Sequence, residues 1–260
     1  MSARKTGRTI IFLLFISLFS LKGFASNDPE PITPSFSELI RVDSIYQKAR
    51  MTFEEYAKDL YDDLEEPDLL YEMFVQGLTG YHNMLKRGEL ERPDILTLID
   101  FSRPSNEPRF YIIDLCQRKV LHTSIVAHGQ KTGRLYAKHF SNEENSHQSS
   151  LGFYKTTTTY SGKYDLALRL QGMEYTNSHA SSRGVVMHAA KYATYEFLDK
   201  NGCTLGRSYG CPALPFDDFD QVVEWIKNGS CLYIYYPKRS YQRYSKYLNR
   251  RGYLQDFLSY

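Results

Sequence analysis

The hydrophobic pattern changes period near Asp94, and that change limits the fold more than any other feature of the chain. From there to Pro237 the apolar residues come in short runs of strand length, separated by polar turns. "ILTLIDF" and "RFYIIDL" are two such runs. "KVLHTSIVAHG" (119–129) follows the second through the turn "CQRK" and reads as its hairpin partner. "LGFYKTTTTYSG", "KYDLALRLQGM", "RGVVMHA" and "SCLYIYYP" continue the series, and the threonine run suits a pleated sheet. "FDDFDQVVEWIKNG" is the one helical stretch: Asp217 or Asp218 is placed to cap it, Phe219, Val222, Val223 and Ile226 form its stripe, and Gly229 ends it. "SNEENSHQSS" (141–150) reads as a loop too polar to be core. Many strands, few helices and long loops predict an α+β domain over 94–237, built on a mainly antiparallel β-sandwich or barrel-like sheet.

The residues before Asp94 read differently. Arg4, Lys5 and Arg8, the apolar run Ile10–Leu21 and the small residues around Ala25 form a signal-peptide pattern over 1–25. The expected mature chain is exported, to the periplasm or cell envelope, with no membrane segment after cleavage. Residues 26–93 form a helical region that opens on a proline-containing linker. In it Leu70, Phe74, Leu78, Tyr81 and Leu85 recur at helical spacing. Residues 238–260 are a basic, aromatic tail, expected to dock through Leu254, Phe257 and Leu258. A net charge of +2 gives no support to a nucleic-acid partner.

Four cysteines, Cys116, Cys203, Cys211 and Cys231, permit three full pairings in an exported protein. Cys211 stands in "GRSYGCPAL", between a glycine and a proline, with Ser208 and Arg207 just upstream. A thiol attacks only as thiolate, so it needs a base or a positive field. His188 ends the strand "GVVMH", a rigid support for a base that would take the proton and leave an ion pair. Gly202 and Gly206 let the intervening segment loop back. Arg207 adds positive charge, Gly210 removes a side chain beside the thiol, and N–H groups around Gly210 and Cys211 can face an oxyanion. These residues alone leave other readings open: a buried or disulfide-bonded cysteine, or a zinc site from His188, Cys203, Cys211 and His179, whose spacing is poor. His128 and His179 read as structural histidines.

"LIDFSRPSNEPRFYIIDL", "VAHGQKTG", "SSLGFY", "RGVVMHAAKY", "GRSYGCPALP" and "GSCLYIYYP", in this order, resemble the murein L,D-transpeptidase catalytic domains, the YkuD-like cysteine enzymes. The resemblance covers roughly 96–237. It implies that Cys211 is the acylated nucleophile and His188 its base, oriented by the backbone carbonyl of Ala189. It implies that Ser208 holds the turn and that Tyr209, Gly210 and Cys211 supply oxyanion N–H groups. The implied reaction is acyl transfer on peptidoglycan stem peptides, with no metal or cofactor. With water as acceptor, the same site would be an L,D-carboxypeptidase. The non-enzymatic alternative is a wall-binding module with Cys211 locked to Cys203.

Two departures from the family pattern bear on substrate. Many relatives have arginine or asparagine two residues after the cysteine, where this chain has Ala213. Arg207 or Arg183 is the expected substitute for a lost carboxylate contact. The segment from His188 to Ser208 is also longer than in many relatives.

Overall fold

The computed structural model describes residues 53–162 and 165–248. Contacts divide the chain into two units, 1–43 and 44–260, and all described residues lie in the second. The signal-peptide pattern, the start of the helical region and the tail residues Leu254, Phe257 and Leu258 fall outside the described residues.

Eight strands form one sheet: β1 (Ile95–Asp100), β2 (Phe110–Asp114), β3 (Lys119–Ser124), β4 (Gly152–Gly162), β5 (Asp165–Gly172), β6 (Val186–Ala189), β7 (Ala213–Leu214) and β8 (Cys231–Tyr235). Their order is β3-β2-β1-β8-β4-β5-β6-β7. Just past β3 the chain meets the far edge, where Ala127 and Ala213 pair as an antiparallel bridge with N–H···O distances of 2.8 and 3.3 Å. That seam makes the sheet barrel-like. The expected antiparallel pairing holds for most neighbours, but β1–β8 and β6–β7 are parallel. A parallel pair needs a long crossover. Between β6 and β7 it is the segment 190–212, which folds a 3₁₀ turn (Lys191–Ala193) and a short helix where the sequence suggested only a loop.

The helices are α1 (Phe53–Asp63), α2 (Tyr71–Lys86), α3 (Tyr195–Lys200), α4 (Phe219–Ile226) and α5 (Arg239–Tyr244). Strand β1 is buried along its whole length because both faces are covered. Ile95 and Ile99 join the core filled by Phe219, Val222, Val223 and Ile226 of α4. Leu96 and Leu98 join a second core with α1, α2 and Tyr241 of α5. Alternation along one strand thus feeds two layers. Asp218 stands at the α4 N-cap but makes no side-chain cap bond, its backbone not being extended there.

The buried stripe of α2 differs from the expected one. Met73, Phe74, Gly77, Leu78, Tyr81 and Met84 face the sheet, whereas Leu70 and Leu85 are partly exposed. Gly77 and Gly80 explain the rotation. A Cβ on Gly80 would lie 1.9 Å from the Phe153 ring, so this face is the one that approaches the sheet closely.

No helix among the described residues is long and apolar enough to cross a membrane.

Candidate active site

The sheet register brings the Cys211 turn to β6. His188 pairs with Ala213 in the parallel β6–β7 ladder, and Cys211 lies two residues before Ala213. The Cys211 sulfur accepts the Val186 N–H at 3.4 Å and lies 3.8 Å from the Gly184 carbonyl oxygen. Val186 precedes His188 by two residues, about 7 Å of strand. The imidazole is therefore borne by β6 and the thiol by the turn that leads into β7, one such step back along the strand direction.

The imidazole is held through Nδ1, 2.9 Å from the Ala189 carbonyl oxygen. A carbonyl only accepts, so Nδ1 carries the proton and Nε2 is the basic nitrogen. His188 is buried, and burial pulls its pKa below the usual imidazole range against the opposing Ala189 bond. Burial pushes the Cys211 thiol up, while the Val186 N–H and the Arg183 charge pull the other way. Burial thus disfavours the charged form of each group at rest.

The turn carrying Cys211 is braced from within. Ser208 Oγ accepts the Gly210 N–H at 3.0 Å and donates to the Cys211 carbonyl at 2.6 Å. The Gly210 N–H is thus committed in this geometry, and it would meet an oxyanion only by leaving Ser208. Gly210 has φ +132, and an added Cβ would lie 2.8 Å from the Gln148 oxygen and 3.2 Å from Arg183 Nη2. The space beside this glycine is filled by the protein itself, not kept for a substrate backbone. Tyr209 is 71% exposed, its ring stacked on His147 at 4.3 Å between centroids.

Residues 141–150 supply the outer brace. The segment is a loop, as expected, but its Ser149 and Ser150 are buried. Ser149 Oγ donates to the Gly210 carbonyl and accepts the Gly129 N–H, both at 3.0 Å, and the Ser149 N–H reaches Thr132 Oγ1 at 2.8 Å. Arg183 donates to the carbonyls of Ser141 (2.9 Å) and Gln148 (2.6 Å) and to the hydroxyls of Ser150 (2.6 Å) and Ser146 (3.2 Å). Its guanidinium is engaged by the loop beside the thiol. Arg207 is exposed, 3.3 Å from the Gln130 carbonyl, and lines a cavity of about 280 Å³ with Arg134 and Phe197.

The other candidates have partners of their own. His128 is buried with Nδ1 2.9 Å from Arg109 and Nε2 3.2 Å from the Gly133 carbonyl. Burial beside that guanidinium lowers its pKa to about 3, so it is a neutral structural residue. His179 Nδ1 is 3.2 Å from the Asn142 carbonyl. Cys203 is exposed, and all four cysteines are free, so no Cys203–Cys211 bridge forms. Among the described residues no group of three or more His, Cys, Asp or Glu is arranged to hold a metal. Ser149, Thr132 and Asn142 went unread from sequence as site residues. Their one signal is that "VAHGQKTG" and "SSLGFY" contain Thr132 and Ser149.

Fold and site together define a barrel-like β domain that presents a cysteine turn against a histidine-bearing strand. The chain belongs to the L,D-transpeptidase catalytic domain family, whose profile matches residues 65–235. Among solved structures it is similar to an L,D-transpeptidase from Mycobacterium smegmatis, at 12% identity and TM-score 0.35 over 55% of this chain and 59% of that one. It is similar to L,D-transpeptidase 3 from Mycobacterium tuberculosis carrying a faropenem-derived adduct, at 14% identity and TM-score 0.36 over 55% and 60%. It is also similar to Bd1075 from Bdellovibrio bacteriovorus, at 15% identity and TM-score 0.38 over 64% and 56%. The chain spans less than two thirds of each of these proteins. No curated protein matches it.

Proposed function

We propose that this protein is an exported cysteine acyltransferase that modifies peptidoglycan: Cys211 forms a thioester with a stem peptide and passes the acyl group to an amine. The supporting observation is the pairing of Cys211 with the Val186 N–H, one step along β6 from a histidine whose Nδ1 is tied to a carbonyl. That arrangement sits within a family match over most of the described residues.

His188 Nε2 takes the thiol proton as the sulfur attacks the carbonyl joining the diamino acid to a terminal D-residue. A C–S bond forms, and the carbonyl oxygen becomes an oxyanion facing the N–H groups of Tyr209 and Cys211, and of Gly210 once it leaves Ser208. One such donor contributes about 3 kcal/mol to barrier lowering. The C–N bond then breaks, and His188 returns its proton to the leaving amine. A second stem's amine then attacks the thioester and gives a proton to His188; the new C–N bond forms as the C–S bond breaks, and His188 passes its proton to the departing sulfur, which restores the thiol. Water in place of the amine yields the trimmed peptide. Ser208 holds the turn, Arg183 supplies positive field, and Arg207 extends the groove. Residues 94–237 form the catalytic unit.

Intact-mass measurement with a tetrapeptide donor tests the reading. The parent protein gains the acyl mass and Cys211→Ala does not; an adduct on the alanine variant refutes the assignment. His188→Ala lowers the acylation rate by about 10² to 10⁴. Because burial depresses the His188 pKa, its basic form persists as pH falls past 6.5, and the acid limb of the acylation profile lies below that value. An inflection above 6.5 contradicts a His188 pKa depressed by burial. Mass analysis of wall fragments separates crosslinked from trimmed products.

A further inference from the structure

A cavity of about 290 Å³ is lined by Gly184 and Val186, the two residues whose backbone the Cys211 sulfur approaches, and reaches Arg169 and Gln171 on β5. Leu168 and Leu170 point into the main core, and so do Val185 and Met187. Arg169, Val186 and His188 therefore share the opposite face. Arg169 is the cross-strand partner of Val186, whose N–H meets the Cys211 sulfur. Arg169 thus starts about 10 Å from the cysteine, two strand spacings away. Its guanidinium carbon lies 4.3 Å from the Tyr160 ring centroid. Stacking occupies the guanidinium face and leaves its in-plane N–H donors presented outward. Among the described residues no carboxylate forms an ion pair with it, whereas Arg183 is engaged by four loop acceptors.

Resting on the acyl-transfer reading, we infer that Arg169, held by Tyr160, is the donor-stem carboxylate receptor of this site. The separation selects a carboxylate several bonds from the scissile carbonyl, not the terminal one beside it. Two groups have that placement: the side-chain carboxylate of the diamino acid, and the α-carboxylate of a preceding γ-linked residue. The planar fork of an arginine binds either in a bidentate manner. The occupant is bound before the thiol attacks, so Arg169 acts mainly on binding.

The test is thioester formation followed by intact mass, with three synthetic donors: one with both remote carboxylates, and one with each amidated in turn. Arg169→Gln should raise KM for the full donor by about 10- to 100-fold, the worth of a charge-assisted contact. Arg169→Lys should recover part of that loss. Amidating the recognised carboxylate should impose a similar loss on the parent and little further loss on Arg169→Gln, which identifies the group. Alkylation of Cys211 by iodoacetamide and the melting temperature should match the parent, separating recognition from folding. An Arg169→Gln variant with parental KM overturns the proposal, as do amidation losses that add in full to the variant's. A folded parent that forms no thioester with any donor overturns the acyl-transfer reading and this inference with it; normal parental acylation with an unaffected variant overturns this inference alone.

Discussion

Residues 141–150 and residues 190–206 both flank the Cys211 turn, and neither adds a strand to the sheet. The first is held by polar contacts. Its Ser149 and Ser150 are buried, its carbonyls receive Arg183, the Ser149 N–H donates to Thr132 Oγ1, and the Ser149 hydroxyl accepts the Gly129 N–H. The second is held by a small apolar core in which Ala190, Ala193, Leu198 and Leu205 pack against Ile125, Ala127 and Ala213, with Thr194 capping α3 through the Phe197 N–H at 3.1 Å. Hydrogen bonds constrain distance and angle, whereas apolar packing is non-directional. The polar brace is therefore suited to fixing where the sulfur points. The apolar one is suited to keeping the crossover folded.

The difference can be broken most sharply at Arg183. Replacing it with alanine strands two loop carbonyls and two hydroxyls and removes the charge beside the thiol. Acylation should fall about 100-fold, the scale of an ångström-sized misplacement of a reacting group. Stopped-flow thioester formation measures it, and a change below threefold would remove the loop's claim on the site. Ser149→Ala comes next. It leaves the buried Gly129 N–H and Gly210 carbonyl each short of a partner, costing about 1–3 kcal/mol in stability. The same assay should show about a tenfold loss, equivalent to ~1.4 kcal/mol of barrier. Parental acylation with reduced stability would make Ser149 a fold residue only.

What the sequence revealed follows the same division. Strands β1 to β6, β8 and helix α4 were legible because period-2 and period-3.6 hydropathy report burial directly, whereas the two-residue β7 is too short to show a period. The α2 face was read correctly at Phe74, Leu78 and Tyr81 but not at its edges, because Gly77 and Gly80, which set the close approach, carry no hydropathy signal. Residues 141–150 looked like solvent loop because a buried serine and an exposed one are the same letter; burial there is satisfied by partners distant in sequence, such as Gly210 and Arg183. Cys211 and His188 stood out through their motifs. Arg169 did not, since an exposed strand arginine acquires meaning only when pairing sets it opposite Val186.

Leu198→Ala should have the smallest effect on chemistry while destabilising the fold. Leu198 is 6% exposed and belongs to the cluster that contains both seam residues, Ala127 and Ala213. Truncation removes buried methyl groups and leaves a void, costing about 2–3 kcal/mol for a leucine in a small cluster. In a domain of this size each kcal/mol lowers Tm by about 2–4 °C. Acylation per folded molecule at 20 °C should stay within about twofold, because the Cys211 turn remains fixed by Ser208, by Ser149 and by its bond to Val186. Thermal melting and active-site titration on one preparation separate the two quantities. A tenfold loss of acylation in protein still fully folded would mean that the apolar crossover also aims the sulfur, and that the alanine seam transmits its packing to the turn two residues away.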